Sequence, residues 1–145
     1  RKAAMDRYVA DPMDGATPAA IARSLVRLKR GELLSPQSTQ YLLNVMQSTV
    51  TGRARLKAGV PAGWTLAHKT GTGQDLGSRT AGFNDVGLMT APDGTSYGIA
   101  VMIADTKAPI STRQHLIQQV AAIIAQNHKN GQYAARRVFG ERAAD

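Results

Sequence analysis

Apolar and polar residues along this chain follow two rhythms, and the change falls near Trp64. Before it the spacing is helical. Thr17-Pro18 supplies an N-cap and a first-position proline, then Ile21, Leu25 and Leu28 share one face until Gly31. Ser35-Pro36 repeats the start signal, with Leu42, Val45 and Met46 as the expected buried face. Residues 2–10 carry a weaker helical pattern and lead into the turn Asp11-Pro12-Met13-Asp14-Gly15. Thr51 is placed to cap a short helical turn that stops at Gly59-Val60-Pro61.

After the change the pattern is that of strands. Trp64 to Thr70 predicts one and Ala81 to Thr90 a second, and Pro92-Asp93-Gly94 is a hairpin turn. Tyr97 to Ala104 is almost continuously apolar, as in a strand covered on both faces. Beyond Pro109 a longer helix is predicted, with Leu116, Val120, Ile123 and Ile124 as its stripe. Past Asn127 the chain turns polar and basic, and 131–145 reads as a loose tail. Helices, three antiparallel strands and a covering helix give an α+β class. So thin a core would leave the sheet's outer face and at least one edge uncovered, as in half of a larger architecture.

Composition narrows this little. A length of 145 residues fits one domain or part of one. No apolar run approaches a membrane span. There is no cysteine, hence no disulfide and no thiolate metal site. Arg1-Lys2-Ala3-Ala4 has neither an initiator Met nor the apolar stretch of a signal peptide, so the chain reads as processed, trimmed or cut from something longer. The net charge of +8 would suit an anionic partner. Yet Arg23, Arg27, Lys29, Arg30, Arg53, Arg55, Lys57, Arg136 and Arg137 are dispersed without interleaved aromatics. A solvated surface is the reading, with no nucleic-acid or membrane partner and no cofactor.

The chemistry concentrates in Ala67-His68-Lys69-Thr70-Gly71-Thr72-Gly73. An ammonium, a hydroxyl and a bare backbone in a row on a strand suit the gripping of a carboxylate beside a reacting carbonyl. Lys-Thr-Gly is one of three motifs of serine β-lactamases and penicillin-binding proteins. Around it stand, in order, Gly31-Glu32-Leu33-Leu34-Ser35, the run from Thr51-Gly52-Arg53 to Ala62-Gly63-Trp64, Asn84-Asp85, and Pro92-Asp93-Gly94. Together they resemble the C-terminal half of a class A serine β-lactamase, from about Asp14 to about Ile124. The resemblance implies a helical lobe and a mixed lobe of five antiparallel strands flanked by helices, of which this chain supplies the last three. It divides the chain into 1–60, part of the helical lobe and the end of an Ω-loop; 61–130, the C-terminal part of the mixed lobe; and the tail. It also implies a periplasmic or secreted setting.

The resemblance implies the site as well. Lys69 and Thr72 take the catalytic positions: Lys69 grips the substrate carboxylate, and Thr72 offers its backbone N–H to the oxyanion hole. Thr70, Gly71 and Gly73 complete the binding strand, with the Thr70 hydroxyl on the same carboxylate. Many class A enzymes carry a carboxylate-binding Arg on the following strand, but Gly82-Phe83-Asn84-Asp85 holds none, and Arg55 stands where other members supply that guanidinium. A solvated arginine beside Arg53 and Lys57 is the competing reading. Asp14 matches an aspartate that closes the Ω-loop through an ion pair, with a turn aspartate as its alternative. His68 reads as a strand residue, and His115 and His128 have no metal spacing.

The other two motifs, Ser-x-x-Lys and Ser-x-Asn, do not occur. Ser24 is followed three residues on by Arg27, which is no base near neutral pH. The only glutamates, Glu32 and Glu141, do not match the deacylating glutamate. The expectation is a portion of a β-lactam-hydrolysing enzyme that acts through an acyl-enzyme. It grips substrate but is inactive alone, and the missing N-terminal portion is its partner. A penicillin-binding transpeptidase or carboxypeptidase is the runner-up, and a non-catalytic basic interaction domain the third reading.

Overall fold

The computed structural model describes residues 1–10 and 15–129, so Asp14 and the 131–145 tail lie outside the described residues. Four helices come first: α1 (Lys2–Ala10), α2 (Pro18–Lys29), α3 (Pro36–Gln47) and the single turn α4 (Leu56–Gly59). Then follow β1 (Thr65–Thr72), β2 (Asp75–Leu76), β3 (Arg79–Thr80), β4 (Phe83–Thr90), β5 (Ser96–Ile103) and α5 (Ile110–Lys129). Two of the three predicted caps form; Thr51 does not cap, because α4 begins only after Arg55 and the Thr51 hydroxyl meets Thr70 instead. The Thr17 hydroxyl accepts from the Ala20 N–H at 3.1 Å, and Ser35 from the Ser38 N–H at 3.2 Å.

The three long strands make one antiparallel sheet in the order β1-β4-β5. Alternation along β4 sends Phe83 and Met89 to one face and Val86 and Leu88 to the other. The first face packs on α4 and α5 through Leu56, Ile117, Ala121 and Ala125. The second packs on α2 and α3 through Leu25, Leu28, Leu43 and Met46. Helix α2 lies so close to β5 that a Cβ on Gly98 would sit 2.4 Å from the Ala22 carbonyl oxygen.

Several expectations need correction. On α3 the buried residues are Thr39, Leu43 and Met46, while Leu42 and Val45 are 37% and 48% exposed. On α5 they are Ile117, Ala121 and Ala125. Val120 and Ile124 are partly buried, whereas Leu116 and Ile123 are about half exposed. Periodicity alone favoured a stripe of large residues; the observed one includes the small Ala121 because α4 and α5 nearly touch there. A Cβ on Gly59 would stand 2.1 Å from the Gln118 carbonyl oxygen. Strand β5 is covered on both faces as expected, by α2 against Gly98 and by the α5 core against Ile99, Val101 and Ile103, although only Ile99 of its eight residues is fully buried. Among the described residues its outer edge has no partner strand. The β2–β3 hairpin was not foreseen. Arg79 pins it, binding Asp105 through two nitrogens at 2.8 Å and reaching Asp6 on α1. At the opposite end of the sheet Trp64 stacks on Tyr97, whose hydroxyl meets His128 Nδ1 at 2.9 Å.

Candidate functional site

Strand β1 is a sheet edge, and it runs two residues past the predicted end, so Lys69-Thr70-Gly71-Thr72 is strand throughout. Alternation gives its faces different work. Ala67 joins the α2–α3 core and Leu66 packs against the α4–α5 core. Lys69 is exposed and donates through Nζ to the Thr70 carbonyl at 2.5 Å. The Thr70 hydroxyl meets the Thr51 hydroxyl at 2.9 Å. That approach needs Gly52, whose φ is +69° and whose added Cβ would lie 2.4 Å from Thr70 Cγ2. Gly73 ends the row: its N–H donates to Gly82 at 2.8 Å, and a Cβ there would fall 1.5 Å from the Ala81 oxygen.

Arg55 lies against the end of this strand. Its Nη1 donates to the Gly71 carbonyl at 2.9 Å and the Asn84 carbonyl at 2.6 Å, and Nη2 to the Thr72 hydroxyl at 2.6 Å. The guanidinium carbon stands 3.7 Å from the Phe83 ring centroid. Burial pushes this guanidinium below its ordinary pKa, Asp85 opposes the shift and Arg113 adds to it. It remains a cation at any physiological pH. The structure thus brings Arg55, Gly71 and Thr72 together.

Behind the strand, His68 and Asp85 form a pair that sequence reasoning missed. His68 Nδ1 and Asp85 Oδ1 are 2.8 Å apart, with side chains 2% and 0% exposed. Asp85 Oδ2 also accepts the Leu56 N–H at 3.1 Å. One carboxylate therefore fastens β4, β1 and the turn that carries Arg55. The signal was present in the period: Leu66, His68 and Thr70 alternate onto one face, so a polar His68 there needed a partner. Gly87, opposite His68, leaves room, since a Cβ there would lie 2.8 Å from His68 Cβ.

A half-open cavity of about 570 Å³ adjoins the strand end, lined by Thr72, Gly73, Gln74 and Asp75 and by Met5 and Tyr8 of α1. Among the described residues no group of three or more His, Cys, Asp or Glu could hold a metal ion, and no helix is long and apolar enough to cross a membrane. The arrangement can bind an anion along an edge strand.

Comparison with known proteins gives the family. The family described as "Beta-lactamase enzyme family" matches residues 2–128. Beta-lactamase VEB-1 of Pseudomonas aeruginosa is 34% identical over 110 residues, covering 74% of this chain and 37% of the relative. The crystal structure of TLA-3 extended-spectrum beta-lactamase superposes with a TM-score of 0.74 at 33% identity, covering 78% of this chain and 42% of that one. PBP-A, of which a variant was solved as an acyl-enzyme complex with penicillin G, superposes at 0.66 with 34% identity over 79% of this chain and 40% of its own. The chain thus spans about two-fifths of the length of these relatives.

Proposed function

The chain belongs to the beta-lactamase enzyme family, and from that premise we propose that it supplies the substrate-binding strand of a class A serine β-lactamase. The observation that carries this reading is the Lys69-Thr70-Gly71-Thr72 edge strand with the Arg55 guanidinium at its end. A β-lactam brings an anionic carboxylate next to its reactive amide. Lys69 and the Thr70 hydroxyl receive the carboxylate, Arg55 adds the nearby positive field, and the Thr72 N–H faces the developing oxyanion. Gly71 leaves the strand backbone bare where substrate lies, and Gly73 ends the binding strand against Ala81. The serine that attacks the lactam carbonyl, and the bases that deprotonate it and later activate water, come from the preceding part of the fold. That part is the chain's partner, in the same polypeptide or a second one. Without it the chain binds but does not turn over. The setting is periplasmic or secreted, where β-lactams act and resistance is exercised.

The test is hydrolysis of a chromogenic cephalosporin by the isolated chain, then after addition of the preceding portion of such a fold. No turnover alone and turnover on addition is the expected result. Hydrolysis by the isolated chain would overturn the assignment of the nucleophile to another segment. The second reading, a penicillin-binding transpeptidase or carboxypeptidase, is favoured by the likeness to PBP-A. It predicts a long-lived penicilloyl adduct on the recombined protein in place of turnover.

A further inference from the structure

Arg113, in the first turn of α5, touches neither Lys69 nor Thr72, yet it is joined to the site by a short chain of contacts. Its guanidinium carbon stands 4.9 Å from the centroid of Phe83, the ring that also carries Arg55 at 3.7 Å. Phe83 is 2% exposed and pairs with Thr72 across β1 and β4. Arg113 is itself held: Nη1 donates to the Thr80 hydroxyl at 3.0 Å, and that hydroxyl donates to Asp75 Oδ1 at 2.5 Å. Its Nε is buried without a hydrogen-bond partner. A cation kept beside another cation, with one donor unpaired, is not where burial alone would leave an arginine. The ring's negative face is what both cations share.

We propose that Arg113 is a positioning residue for the substrate-binding strand, acting through Phe83 on Arg55. This role rests on the β-lactam-binding reading of the site. The α5 guanidinium and the buried ring fix the plane of Arg55. Arg55 in turn fixes the Gly71 carbonyl and the Thr72 hydroxyl at the strand end. The covering helix thereby sets the aim of groups it does not touch.

Nuclear magnetic resonance of the arginine side chains in the 145-residue chain tests this. Held at three acceptors, the Arg55 Nη groups give separate, slowly exchanging signals in the parent chain. Arg113→Met and, independently, Phe83→Leu are expected to average those signals and shift the Thr72 amide, while the Ile117 and Ala121 amides keep their protection. Unchanged Arg55 signals in both variants would refute the relay. So would an equal loss of protection along α5, which marks a merely structural role. A titration with benzylpenicillin, read at the Lys69 and Thr72 amides, adds the functional arm, where Arg113→Met should weaken the response about tenfold. A parent chain that ignores benzylpenicillin but shows the Arg55 signals lost in both variants retains the relay and loses the β-lactam reading.

Discussion

Asp85 is the side chain whose removal should cost most for its size. It is fully buried, accepts from His68 Nδ1 at 2.8 Å and from the Leu56 N–H at 3.1 Å, and so ties β4 to β1 and to the Arg55 turn. Asp85→Leu keeps the branched outline, replaces the two oxygens by bulkier methyl groups and deletes both acceptors. Two buried donors are then orphaned, at about 1–3 kcal/mol each, so the loss in unfolding free energy should be about 3–5 kcal/mol. Asp85→Asn keeps one oxygen for Leu56, and its amide N–H can face His68 if the imidazole changes tautomer. Its cost should be nearer about 1–3 kcal/mol. Urea unfolding followed by circular dichroism measures both. For a chain of 145 residues the larger loss is a substantial fraction of an expected total of about 7–20 kcal/mol. The order Leu worse than Asn is the diagnostic. If both variants unfold within about 0.5 kcal/mol of the parent, the hub described here does not bear on stability.

Lys69→Ala in the protein recombined with the preceding portion of the fold should lower kcat/KM about 10- to 100-fold, the value of one charge-assisted hydrogen bond; an unchanged kcat/KM removes Lys69 from the site. Gly73→Ala should distort the strand end, because its Cβ would meet the Ala81 oxygen at 1.5 Å; a thermal midpoint equal to the parent's contradicts that packing. The Arg79 hydrogen bonds hold the Asp6 and Asp105 carboxyls below the ordinary carboxylate range. The unfolded chain therefore takes up protons first on acidification. The stabilisation is complete above the ordinary value of about 3.9 and disappears as pH falls through the lower folded values. The midpoint difference between parent and Arg79→Met should accordingly shrink from pH 6 towards pH 3; a constant difference counts against the network.

What could be read from the sequence was what local rules determine. Thr17-Pro18 and Ser35-Pro36 announced two helices through capping chemistry, and both hydroxyls take the predicted bonds. The Pro92-Asp93-Gly94 turn set the β4–β5 hairpin, whose strands pair from Thr90–Ser96 to Phe83–Ile103. Lys69 and Thr70 could be placed on a strand, which β1 continues to Thr72. What escaped depends on which neighbour comes closest. Leu116 and Ile123 looked like core, but Ile117, Ala121 and Ala125 face inward, with Ala121 where Gly59 of α4 comes closest. His68 could be placed on a strand, but its partner is seventeen residues away and is set only by the β1–β4 register. Arg113 and Phe83 gave no local sign at all, since their meeting depends on how α5 crosses the sheet.

The unpaired side of β5 has a consequence for handling the molecule. Its sequence, Ser96 to Ile103, contains no charge and no proline, the two features by which proteins usually deter strand addition. Among the described residues no strand pairs with this edge, so its N–H and C=O groups are an invitation to another extended peptide, including the same stretch of a neighbouring molecule. Solutions of the polypeptide should therefore sediment as larger species as concentration rises, and a strand that covered this edge would protect solubility as well as shape.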